Sequence, residues 1–264
     1  MPRTALGHMV AAVLLAVVVV EVVAWPSNSR GEAPIRIAAA ASFRQALDEI
    51  VRAYEQRYGQ PALVTYGVTG NLVRQILLGA PFDVFLAADE ASTARLVASG
   101  QTNGTAEVLV QGRISFIVPR SSKLEAGADL SGVRSALEAG LINRFAIANP
   151  ELAPYGRAAK EALGKLGLLD LAAPRFVYGE NVGQVAQFVA SGAADAGITA
   201  HSLIIAEPLA SGLKATELSL ELHAPIKQTF VVLKGAAPQA LSFAGFLRDG
   251  QARAIFDRHG FARP

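Results

Sequence analysis

The 264-residue chain has no cysteine, one tryptophan, two methionines and four histidines. Without cysteine there is no disulfide, no thiolate metal site, no cysteine nucleophile and no thiol for lipid attachment. His8, His201, His223 and His259 stand far apart, without the spacing of metal ligands, so no cation site is expected. Charge of one sign is lacking too. Twenty-four Lys and Arg against 22 Asp and Glu leave a net charge of +2. The basic residues are scattered, with no run and no aromatic interleave, which argues against nucleic acid as a partner. Ser42 has no evident histidine partner and lies outside any G-x-S-x-G elbow. Asp83, Asp89 and Asp195 fall at expected strand ends, where turns and caps explain them. Neither an enzyme nor a cofactor is expected. There is no internal repeat and no low-complexity tract.

What is present describes an ordered globular protein: 52% hydrophobic residues and 17% charged. The length suits two lobes. Residues 1–24 are of another kind. Arg3 precedes an unbroken apolar run from Met9 to Val20, and Glu21 ends it before the length of a membrane-spanning helix. Val22 and Ala24 supply small residues before a cleavage point, so 1–24 is expected to be a signal peptide. An uncleaved N-terminal anchor is the alternative. Residues 25–34 (WPSNSRGEAP) read as a flexible lead-in.

Ile35-Arg36-Ile37 and the four alanines after it read as a buried strand, and Ser42 opens a helix. Apolar residues at Phe43, Leu47, Ile50, Val51, Tyr54 and Tyr58 mark one helical face. Ser42 with Gln45 fits a capping box. A strand running into a helix start turns main-chain N–H groups outward with partial positive charge behind them, a ready anion site. Residues 61–66 and 82–87 are two further strands, each running into a helix, with Thr69 placing a hydroxyl at the first of these helix starts and Asp89 capping the second. Three strand–loop–helix units in about 100 residues predict an α/β lobe with a parallel or mixed sheet, with ligands beyond the carboxyl ends of its strands.

Residues 107–118 read as one long strand with Gly112 in its middle, crossing into a second lobe. Further strands are expected at 145–148, 175–178, 194–198 and 227–233. Helices are expected around 133–139, from Tyr155 to Leu166, from Asn181 (a capping box with Gln184) and over 238–248 and 251–259. The strand at 227–233 is the return crossing. Lobe 1 is thus expected to hold 35–111 and 228–264, and lobe 2 to hold 112–227, joined by a double-crossover hinge that permits closure.

Five stretches together, AAAASF (38–43), YGVTGNLVRQI (66–76) with GAPFDVFLAAD (79–89), NPELAPYGRAAKEAL (149–163), GENVGQV (179–185) and ADAGIT (194–199), resemble the periplasmic molybdate-binding proteins of ABC importers over nearly all of 35–262. The resemblance implies a two-lobed periplasmic binding protein, each lobe a mixed sheet flanked by helices. It implies that the lobes close on a tetrahedral oxyanion, molybdate or tungstate, and deliver it to a membrane permease. By position, Ser42 matches the family's first hydroxyl-and-amide ligand, and Thr69 the serine or threonine of the second loop. Tyr155 and Val182 match positions that contribute main-chain amides. A tyrosine often found in the family corresponds to Ala200 here, and the neighbouring His201 is considered as a substitute contact.

A dianion accepts hydrogen bonds and donates none, so N–H groups and hydroxyls suffice to hold it. Sulfate, thiosulfate or phosphate on the same scaffold, and an oxyanion sensor in place of a transporter component, are the alternatives. Glu151 and Glu180 lie beside the expected site and keep phosphate open. The expected protein is a periplasmic monomer, with molybdate and tungstate indistinguishable in the sequence.

Overall fold

Among the described residues ten strands follow one another as β1 (Ile35–Ala40), β2 (Ala62–Gly67), β3 (Val84–Ala87), β4 (Glu107–Gly112), β5 (Ile114–Pro119), β6 (Phe145–Ala148), β7 (Phe176–Gly179), β8 (Ala196–Ala200), β9 (Leu213–Glu217) and β10 (Ile226–Val232). The computed structural model describes residues 33–124, 127, 130–205 and 209–264. The expected signal peptide, and the lead-in but for Ala33 and Pro34, lie outside the described residues. The strands form two five-stranded sheets, ordered β2-β1-β3-β10-β4 and β7-β6-β8-β5-β9. In each, the first three strands are parallel and the remaining two pair antiparallel. Every residue of β3 (VFLA) and β6 (FAIA) is buried, as expected of strands covered on both faces.

The helices are α1 (Arg44–Tyr58), α2 (Thr69–Leu77), α3 (Glu90–Ala98), α4 (Ser131–Glu138), α5 (Pro154–Lys165), α6 (Leu169–Ala172), α7 (Val182–Ala190), α8 (His201–Ile204), α9 (Leu209–Gly212), α10 (Gln239–Leu247) and α11 (Gly250–Arg258). Among the described residues no helix is long and apolar enough to cross a membrane. The last two helices return to the first lobe. Phe43 stacks on Phe261 with ring centroids 5.7 Å apart, and Tyr54 meets Phe243 edge-on at 5.1 Å. Asp83, 1% exposed, ties three segments of this lobe together. It accepts from the Arg36 main-chain N–H (2.7 Å), from the Arg36 guanidinium (3.1 and 3.2 Å) and from Ala237 N–H (3.1 Å).

Three expectations need correction. The long strand expected at 107–118 is two strands in different sheets, broken at Arg113: β4 pairs with β10, and β5 with β8 and β9. An apolar run reads the same whether it stays in one sheet or changes sheets, so the break is invisible locally. Ser42 does not cap a helix. Residues Ala41–Phe43 form a 3-10 turn ahead of α1, the α1 N-cap is Phe43, and no side chain caps it. The Ser42 hydroxyl and the Gln45 amide both reach across to distant partners instead. Finally, β9 was not expected: LKATE is a polar edge strand in which only Leu213 is buried, the usual composition of a protected sheet edge.

Candidate functional site

Four helical segments begin at the carboxyl ends of parallel strands: the 3-10 turn and α1 after β1, α2 after β2, α5 after β6, and α7 after β7. Their starts face one another across the gap between the lobes, around a cavity of about 20 Å³. Ser42, Thr69, Tyr155 and Val182, the four residues singled out from the sequence, all line it. The rest of the wall is Ala40, Ala41, Gly67, Val68, Ala88, Ala153, Pro154 and Asn181, so no charged side chain takes part.

Each start leaves an N–H group uncommitted, since the first N–H groups of a helix have no intrahelical acceptor. At α7 the Asn181 side chain accepts from Gly183 N–H (2.9 Å) and Gln184 N–H (3.1 Å), which leaves Val182 N–H free of the cap. The reciprocal half of this capping box is displaced by one residue: Gln184 Oε1 accepts from Glu180 N–H, not from Asn181. Thr199 donates to the Val182 carbonyl at 2.7 Å and so fixes that turn from β8. At α5, Pro154 stands in the first turn, where its missing N–H costs nothing, and the next N–H is that of Tyr155. Asn149 shapes the approach, with its carbonyl accepting from Leu152 and Ala153 and its side chain from Glu151 N–H. Gly156 then allows α5 to press on β6, because a Cβ there would lie 2.1 Å from the Ala148 carbonyl oxygen.

At α2 the Thr69 hydroxyl accepts from Ala88 N–H at 3.3 Å. A hydroxyl used as an acceptor keeps its proton, and among the described residues no acceptor takes it. Ser42 is 1% exposed, and its hydroxyl donates to Gln228 Oε1 at 3.0 Å. Gln228 Nε2 donates to the Tyr155 hydroxyl at 2.7 Å. Burial raises the Tyr155 phenol well above its usual pKa, so it is a neutral hydroxyl. Gln228, on β10 and fully buried, was missed in the sequence. Its only signal was a polar residue at an inward position of an otherwise apolar strand.

The lobes are held together at the rim as well. Gly70 N–H donates to the Leu152 carbonyl (3.2 Å), Arg157 donates to Asp89 (2.6 Å), and Asn71 donates to Glu180 (3.3 Å). Glu180 and Glu151 are exposed and do not line the cavity. Ala200 is buried within β8 and does not reach it either. The expectation that His201 supplies a substitute contact fails. Its Nδ1 lies 2.9 Å from the Ser115 hydroxyl, its ring packs against Gly260, and it does not line the cavity. Burial holds this imidazole below its ordinary pKa. No group of three or more potential metal-ligating side chains occurs among the described residues.

A profile of the bacterial extracellular solute-binding proteins matches residues 35–262. The chain is 32% identical over 232 residues to the molybdate-binding protein ModA of Azotobacter vinelandii, spanning 87% of this chain and 90% of that one. To the ModA of Rhodobacter capsulatus it is 30% identical over 226 residues, 85% and 86% of the two chains. The solved periplasmic molybdate-binding protein of Azotobacter vinelandii superimposes with a TM-score of 0.78 at 28% identity, over 87% of this chain and 99% of that structure. With its two mixed sheets and the cavity between them, the chain belongs to the family of bacterial extracellular solute-binding proteins.

Proposed function

We propose that this protein captures a tetrahedral oxyanion, molybdate and equally tungstate, between its lobes and delivers it outside the cytoplasm to an ABC permease. The reading rests on one observation: helix starts from both lobes converge on a single small cavity without a charged side chain. Main-chain N–H groups of Ser42, Thr69, Tyr155 and Val182 and the Thr69 hydroxyl are the donors. Each charge-assisted hydrogen bond contributes about 1.5–3 kcal/mol, so a handful supports micromolar or tighter binding after the cost of association.

Size and protonation favour this ligand class. A cavity of about 20 Å³ has room for one small anion and little more. No carboxylate lines the wall, so a protonated phosphate would find no anionic acceptor there. Two similar molybdate-binding proteins of about 30% identity support the same ligand. We further propose export directed by residues 1–24, action as a monomer, and no cofactor or catalytic step.

Calorimetric titration of the purified protein with molybdate, tungstate, sulfate and phosphate tests this. Heat with molybdate and tungstate is expected. Heat with sulfate or phosphate alone overturns the assignment.

A further inference from the structure

Behind the cavity, three buried side chains from both lobes meet. Ser42 and Gln228 belong to the first lobe and Tyr155 to the second, and their exposures are 1%, 0% and 3%. Gln228 bridges them, accepting from Ser42 at 3.0 Å and donating to Tyr155 at 2.7 Å. Gly112, where the chain leaves the first sheet, makes the space. A Cβ there would lie 2.2 Å from the Tyr155 hydroxyl oxygen and 2.8 Å from Gln228 Nε2. Tyr155 therefore points two ways, with its main-chain N–H at the cavity and its hydroxyl anchored in the opposite lobe.

We propose that Tyr155 Oη and the Gln228 amide form a latch that assembles as the lobes shut and turns the Ser42 hydroxyl proton toward the bound anion. The positions of the heavy atoms admit two directions of donation. In one, Ser42 donates to Gln228 and Gln228 to Tyr155, and the Ser42 proton faces away from the cavity. In the other the amide is turned over: Tyr155 donates to Gln228, Gln228 donates to Ser42, and the Ser42 proton is free for the ligand. An acceptor-only dianion stabilises the second. Closure, the latch and recognition of a fully deprotonated anion are then one event, and Gln228 is a positioning residue that never touches the ligand.

The inference rests on the oxyanion reading, and one calorimetric series separates their failures. Tyr155→Phe keeps the main-chain N–H and the ring and removes only the hydroxyl. Its affinity for molybdate is expected to fall about tenfold, with a matching rise in dissociation rate. Gln228→Glu keeps the shape but, ionised, can only accept. It is expected to bind molybdate at least about tenfold more weakly at pH 8 and to recover toward pH 5.5, because burial raises the carboxyl pKa into this range. The wild type is expected to show no such recovery. A merely structural role for Gln228 would lower affinity equally at every pH, and that result overturns the proposal. Binding within twofold of wild type in both variants also overturns it. A wild-type protein that binds none of the four oxyanions overturns the oxyanion reading and this inference together.

Discussion

Thr69→Val removes a single hydroxyl while keeping a branched side chain of the same volume. Thr69 is 2% exposed, stands at the first position of α2 and contributes no cap, since the N-cap is Val68 and no side chain bonds there. Helix stability should therefore hardly change. The hydroxyl does accept from Ala88 N–H at a long 3.3 Å, and losing that bond costs the unliganded protein about 1 kcal/mol. The liganded state loses more, because the same oxygen carries a proton at the cavity wall that no acceptor among the described residues takes. A donor to a dianion is worth about 1.5–3 kcal/mol, which converts to an affinity about 10- to 150-fold weaker. Titration calorimetry of wild type, Thr69→Val and Thr69→Ser against molybdate measures it directly. Thr69→Ser should recover most of the affinity. A Thr69→Val protein within twofold of wild type, or a serine variant as weak as valine, would refute the assignment of this hydroxyl as a ligand donor.

Two stability predictions follow from the scaffold. Gly156→Ala places a Cβ 2.1 Å from the Ala148 carbonyl oxygen, and main chain cannot step aside as a side-chain tip can. It should cost about 3 kcal/mol, seen as a melting temperature lower by roughly 6–12 °C, with a smaller further rise on adding molybdate. The second concerns acid. Burial alone would raise the Asp83 carboxyl, but the Arg36 guanidinium and the N–H groups of Arg36 and Ala237 outweigh it and hold the group below its usual range. A pKa lowered on folding gives stability that is complete above the unfolded value, about 3.9, and is lost as pH falls through the folded one. Urea unfolding from pH 7 to pH 3 should show this loss beginning near pH 4. Asp83→Asn should be about 2 kcal/mol less stable at pH 7 with a shallower acid decline. An unchanged pH profile in that variant would assign the acid sensitivity to other carboxylates.

Much of the architecture was legible because its signals are local. Strand β6 and helix α5 were readable from FAIA, a proline and a closing glycine, and Asn181 and Asp89 cap the helices they were expected to cap. The misreadings share a cause. Ser42-x-x-Gln45 has the letters of a capping box, yet both side chains spend their hydrogen bonds on residues 186 and 158 positions away. The run at 107–118 is uniformly strand-forming, and only its neighbours place one half in each sheet. His201 stands next in sequence to Ala200, but the end of β8 directs its ring toward Ser115 and Gly260.

The sequence by itself determined most of the order of elements, the starts of α2, α5 and α7 and the residue types able to donate to an anion. These depend on dihedral preference, apolar period and capping within a few residues. Tertiary structure alone decided that four such starts share one cavity, that Gln228 closes a bridge between Ser42 and Tyr155, and that Gly112 must lack a side chain. Those outcomes depend on sheet order and on where the chain crosses between lobes. They are set by contacts between residues more than 40 positions apart, which no local pattern encodes.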